Sequence, residues 1–111
     1  MGSFYRLQIQ CDVEGKAMVE SILGKSNDSP ELDWGFIIEE DSPDFVNALD
    51  LFIELITQNR SLLEGIGVAA GSITFWYMYE YDQQCNMEFS PNITKQIGEL
   101  GITLCISCWE K

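Results

Sequence analysis

The sequence contains no histidine, and only six Lys and Arg stand against 18 Asp and Glu, for a formal net charge of −12 over 111 residues. Each shortage excludes something. Without histidine the usual general base of nucleophilic catalysis is missing, leaving only Lys or a carboxylate for that task. Phosphate backbones are held by clustered Lys and Arg. Here Arg6, Lys16, Lys25, Arg60, Lys95 and Lys111 are scattered, so nucleic acid is not an expected partner. An anionic membrane surface is disfavoured on the same grounds. No stretch approaches the roughly 20 apolar residues of a membrane span, and Met1 to Arg6 lacks the basic-then-apolar pattern of a signal peptide. Gly2 does not read as a myristoylation site, because Arg6 occupies the position that wants Ser or Thr. A cytoplasmic location is expected, with Cys11, Cys85, Cys105 and Cys108 as reduced thiols.

Familiar catalytic signatures are also missing. There is no Gly-x-Ser-x-Gly elbow and no phosphate-binding glycine loop. Gly65-Ile66-Gly67 holds two glycines of a dinucleotide fingerprint but precedes a strand pattern rather than a helix. Cys105-Ile106-Ser107-Cys108 has the spacing of half a zinc or redox site. It falls on a strand pattern, and residues three apart on a strand point to opposite faces. Core or surface thiols are the expected reading, with no metal and no cofactor. Asn92-Ile93-Thr94 matches a glycosylation sequon that a cytoplasmic chain never presents to the enzyme.

What is present describes one domain spanning residues 1–111, a size that buries enough surface to fold without staples. Tyr5, Leu7, Ile9 and Cys11 alternate with polar residues, the mark of a half-buried strand. Glu14 to Leu23 has helical spacing through Met18, Val19, Ile22 and Leu23, and stops at Gly24. A polar loop over 25–31 leads to alternating Leu32, Trp34, Phe36 and Ile38. Asp41-Ser42-Pro43-Asp44 carries the signals of a helix start. Phe45, Leu49, Phe52 and Ile56 then form one apolar stripe, running to about Asn59 or Leu63. Residues 64–71 receive no assignment. Ile73 to Tyr81 is the strongest strand pattern, and Cys85, Met87 and Phe89 suggest the second arm of a hairpin. Ser90-Pro91 opens a helix stopped by Gly101, and a last strand puts Ile102, Leu104, Ile106 and Cys108 on one side. The expected fold is α+β, in the order β-α-β-α-β-β-α-β, with a mostly antiparallel sheet and helices mainly on one face. Trp76, Met78 and Trp109 point away from the helix-facing set and are left over.

The densest carboxylate cluster is Glu39-Glu40-Asp41 with Asp44, followed by Glu80, Asp82 and Glu88 around the expected hairpin. Three readings apply to the first cluster. It is a helix start complementing the dipole, an acidic patch standing in for phosphates on a basic partner, or a calcium site. The last lacks the twelve-residue loop pattern.

The chain is similar in kind to small, acidic, single-domain bacterial immunity proteins that neutralise toxins of contact-dependent growth inhibition and related systems. Gln84 to Pro91 and Gly98 to Ser107 also resemble uncharacterised bacterial domains with a strand, a Ser-Pro helix start and a Leu-Gly turn into a last strand. The resemblance implies a cognate toxin domain with a basic surface as partner, often a nuclease whose cleft is blocked by acidic groups. It implies no catalysis. Two other classes remain open: a small ligand-binding regulatory domain with strand 73–81 lining a pocket, and a structural subunit or homo-oligomer that hides its extra aromatics against itself.

Overall fold

A computed structural model describes residues 2–28 and 33–111. Leu32, and the 29–31 part of the expected polar loop, lie outside the described residues. Among the described residues, four strands form one sheet in the order β2-β1-β3-β4. They are β1 (Phe4–Ile9), β2 (Trp34–Glu39), β3 (Ile73–Tyr81) and β4 (Thr103–Glu110). β1 pairs antiparallel with both β2 and β3, and β3 pairs parallel with β4. Two of these three pairings are antiparallel, as expected. The parallel pair is made possible by a helical crossover between β3 and β4.

The register explains the alternation in the sequence. Leu7 stands opposite Phe36 on one side and Phe75 on the other, and Phe75 stands opposite Leu104. These four point to the same face, together with Ile9, Trp34, Ile38 and Ile73. Helix α2 (Ala48–Gly65) covers that face with Leu49, Phe52, Ile53, Ile56 and Leu63. Phe52 and Phe75 are fully buried with ring centroids 5.5 Å apart. Helix α1 (Val13–Leu23) adds Val19, and helix α3 (Pro91–Leu100) adds Ile97. All three helices therefore share one core on one side of the sheet, and the α+β fold is the expected one.

The helix ends show how local chemistry sets boundaries. The Asp12 carboxylate accepts from Gly15 N–H at 2.7 Å and caps α1. Ser90 Oγ accepts from Ile93 N–H at 3.2 Å and caps α3, with Pro91 in the first turn. Gly101 closes α3 in the left-handed region at φ 74°. None of the described helices is long and apolar enough to cross a membrane.

Three local readings need correction, and one unassigned stretch gains a structure. The α-helix after β2 begins at Ala48, not at Asp41–Asp44. Ser42 Oγ accepts from Asp44 N–H at 3.2 Å, which stabilises a turn, and a 3-10 turn over Phe45–Asn47 follows before α2. Met18, counted on the apolar face of α1, is exposed. Residues 64–71 resolve into the end of α2, a left-handed Gly67 at φ 89° and a 3-10 turn over Ala70–Ser72. In the chain order, the second arm of the expected hairpin is represented only by an isolated bridge between Asp82 and Gln84, and residues 85–89 join no ladder. Both edges of β3 are already occupied, by β1 and β4.

Adjacent residues on β3 thus face different environments, which gives a stability test. Phe75→Ala should cost about 3–5 kcal/mol, as a large buried ring leaves a cavity. Trp76→Ala, one residue on but outside the core, should cost less than half as much. Urea denaturation of the two variants measures this, and equal losses would contradict the one-sided packing.

Candidate partner-binding surface

The strand directions bring chain segments far apart in sequence to one end of the sheet. β1 begins there, while β2, β3 and β4 end there. Phe4 pairs with Glu39 and with Met78, Glu80 pairs with Trp109, and Tyr81 with Glu110. This places Glu39, Glu40 and Asp41 from the end of β2 at the same end as Glu80 and Asp82 from β3 and Glu110 from β4. Glu39, Glu40, Asp41, Asp44 and Asp82 are all exposed. Unpaired carboxylates stay in water because burying them is costly.

Ser3 ties the two acidic segments together. It is 5% exposed. Its backbone N–H donates to Glu40 Oε2 at 2.9 Å, and its carbonyl accepts from Glu40 N–H at 3.1 Å. Its hydroxyl accepts from Glu80 N–H at 3.0 Å. Glu80 in turn accepts from the Trp109 indole N–H at 3.1 Å through Oε2. Sequence reasoning missed Ser3, since a serine ahead of a strand carries no motif. Glu110 was missed as well, because its place at the same end of the sheet depends on the strand order.

The structure separates Glu88 from this group and keeps Asp44 beside it. Glu88 lies on the 85–90 segment, lining a shallow cleft on the helix side with Asp50, Val46 and Phe89. Asp44 sits in the turn leading to α2 and shares a groove with Glu39 and Asp41 beside Ile37. Among the described residues, Arg6 pairs with Asp28, Arg60 with Glu64 and Lys95 with Glu99. No ion pair between described residues engages Glu39, Glu40, Asp41, Asp44, Glu80, Asp82 or Glu88. No three His, Cys, Asp or Glu side chains among the described residues converge as metal ligands would. The carboxylates spread over a surface instead.

Beside this acidic end lies the sheet face that no helix covers. Phe4, Trp76, Met78 and Trp109 are half-buried there and lie outside the core cluster. The Trp76 indole N–H donates to Gln8 Oε1 at 2.7 Å. The β2 side of this face is screened by residues 26–28. The Arg6–Asp28 ion pair packs over Gly35, where a Cβ would come within 2.9 Å of Asp28 Cβ. Asn27 caps the outer edge of β2 through Ile37, donating to its carbonyl at 2.9 Å and accepting from its N–H at 2.6 Å. The β3–β4 side has no such screen among the described residues.

On the helix side, the same end of the sheet rests on an aromatic cluster. Tyr5 and Tyr77 stack with centroids 4.3 Å apart and planes 7° apart. Phe45 packs on Tyr5 at 5.1 Å, and Phe89 meets Tyr77 edge-on at 6.2 Å. Burial raises the pKa of both phenols, and for Tyr77 the neighbouring Tyr5 and Tyr79 and the Glu40 carboxylate push the same way. A cavity of about 330 Å³ lies at the opposite end of the molecule, lined by Ile56, Leu63, Val68, Leu100 and Ile102 and meeting β3 only at Ile73. Strand 73–81 therefore does not line it in the way a ligand-binding reading expects. No protein-family model matches the chain, and neither a curated protein nor a solved structure matches it significantly.

The raised phenol pKa values carry a pH dependence whose sign can be worked out. In the unfolded chain a tyrosine ionises near pH 10. In the folded chain Tyr77 holds its proton beyond that. Its contribution is present in full below about pH 10 and is lost as pH rises through the folded value. Denaturant unfolding from pH 8 to 11 should show a steeper loss of stability in the parent than in Tyr77→Phe. Parallel curves would show that Tyr77 is not the group responsible.

Proposed function

We propose that this chain is a non-catalytic binding protein that neutralises a basic protein partner, in the manner of an immunity protein that occludes its cognate toxin. The observation that carries the reading is the gathering of carboxylates from three strand ends at one end of the sheet, without ion pairs to other described residues. Such a surface attracts a cluster of Lys or Arg, and opposite charge raises the association rate. A nuclease cleft that holds phosphates offers that cluster, and the carboxylates would take the phosphates' place. Ser3 holds the backbones of Glu40 and Glu80 in fixed relation, so little ordering entropy is lost on binding. The half-buried Trp76 and Trp109 next to the acids supply the apolar area that an interface core uses. An inhibitor of an intracellular nuclease would act in the cytoplasm. The chain needs no cofactor for this role.

The test starts from the product of the gene immediately upstream, whose C-terminal domain should co-purify with this chain. Stopped-flow association should slow several-fold between low and high salt, since the Debye length is about 8 Å at physiological ionic strength. A combined Glu39→Gln, Glu40→Gln, Asp41→Asn and Asp44→Asn variant removes charge but keeps the oxygen that accepts from Ser3. Its melting temperature should stay near the parent value while affinity falls at least tenfold, given that truncating a desolvated charge pair costs roughly 2–5 kcal/mol. Unchanged affinity, or a rate indifferent to salt, would remove the acidic end from the interface.

A further inference from the structure

Three residues apart on β4, Cys105 and Cys108 point to opposite faces, as their partners Trp76 and Tyr79 do. The spacing that looks like half a metal or redox site is therefore no pair. A different pair forms across the fold. Cys85, on the segment after β3, brings its Sγ to 3.6 Å from Cys108 Sγ. Both thiols are free and both residues are exposed. The other two cysteines are out of reach. Cys105 lies on the far face of the sheet, and Cys11 follows the end of β1 where Ile9 meets Ile73, at the opposite end of β3.

We propose that Cys85 and Cys108 are a dithiol site that closes to a disulfide with a low-molecular-weight disulfide as oxidant. A disulfide bond is about 2.0 Å long, so the sulfurs must approach by roughly 1.6 Å. The surroundings allow this. Residues 85–90 belong to no strand or helix and can shift without breaking a ladder. Among the hydrogen bonds that seat this segment is the one from the Tyr79 hydroxyl to the Asn86 carbonyl at 3.1 Å, which already holds Cys85 over Cys108. Neither sulfur is buried behind side chains that would keep an oxidant away.

The chemistry balances as two exchanges. One protein thiolate attacks the S–S bond of oxidised glutathione, forming a mixed disulfide and expelling one glutathione thiolate. The second protein thiolate attacks the protein sulfur of that mixed disulfide and expels the other. Two electrons pass from the protein to glutathione, and the two protein protons end on the two glutathione thiols. Loss of hydration and then the adjacent Cys85 thiol raise the Cys108 pKa. Closure becomes faster as pH rises, because the thiolate is the attacking form. The product covalently pins the segment carrying Asp82 and Glu88 to the edge strand β4, across a sequence separation of 23 residues.

The full-length reduced protein, at low concentration, is incubated with oxidised glutathione. Thiols are counted after denaturation, and peptides are mapped without reduction. The expected result is a fall from four thiols to two, with the Cys85 peptide joined to the Cys108 peptide. Closure should be first-order in protein and reversed by dithiothreitol. Cys85→Ser and Cys108→Ser should each block the intramolecular bond and stop at a glutathione adduct on the remaining cysteine. Four persistent thiols, a stable glutathione adduct without closure in the parent, or a disulfide through Cys11, Cys105 or a second chain would each overturn the proposal.

Discussion

The contact on which this structure depends is the row Phe36, Leu7, Phe75 and Leu104 across the four strands, held against Phe52 of α2. Burying that row fixes the register of every strand. A slip by one residue would send each of these side chains to the other face. It follows that the next row, Ile37, Arg6, Trp76 and Cys105, faces away from the helices. The uncovered aromatic face is thus a consequence of how the core is packed, and not a separate feature. The same register sets which strand ends meet, and so brings Glu39, Glu80 and Glu110 to one end.

Much of the fold could be read from residues whose partners are close in sequence. Helix α3 was legible at both ends because Ser90 and Gly101 encode its caps locally. The strand faces were legible because alternation needs only one chain. The start of α2 was not. Asp41, Ser42, Pro43 and Asp44 suit a helix start and a turn equally well, and the Ser42 hydroxyl settles the matter by bonding to the Asp44 N–H only two residues on. The segment 85–89 alternates like a strand, yet the parallel β3–β4 pairing occupies the edge that a hairpin arm would have used. Alternation there serves packing instead, with Phe89 set against Tyr77. A parallel crossover leaves no mark in the local pattern, so this competition could not be seen in advance.

The candidate surface was legible by composition and only half by position. Glu39, Glu40 and Asp41 were found together because they are contiguous. Their meeting with Glu80 and Asp82 depends on β1 lying between β2 and β3, and on Ser3 bridging the gap. Glu88 was grouped with Asp82 because a hairpin would have kept them close. Without that hairpin it turns toward Asp50 on the helix side. The Cys85–Cys108 approach was hidden for a related reason. The sequence offered Cys105–Cys108 by spacing, and only the path of the chain over Tyr79 selects the other pairing.

The charge of −12 helps decide between a foreign partner and a second copy of the chain. A half-buried aromatic face and an eight-residue edge strand, β4, would ordinarily invite self-association. A second copy, however, brings the same charge and the same acidic strand ends. Any pairing along β4 that aligned those ends would set carboxylate against carboxylate, and any other would still bring together two chains of like sign. The repulsion that lowers the stability of the isolated domain therefore also opposes the pairing of two copies at this face. A partner carrying clustered Lys or Arg meets no such barrier. It would relieve the repulsion between Glu39, Glu40, Asp41, Glu80 and Asp82 while covering Trp76 and Trp109. One surface then accounts for three costs that the fold otherwise carries alone: concentrated like charge, uncovered aromatic area, and an unpaired strand edge beside them.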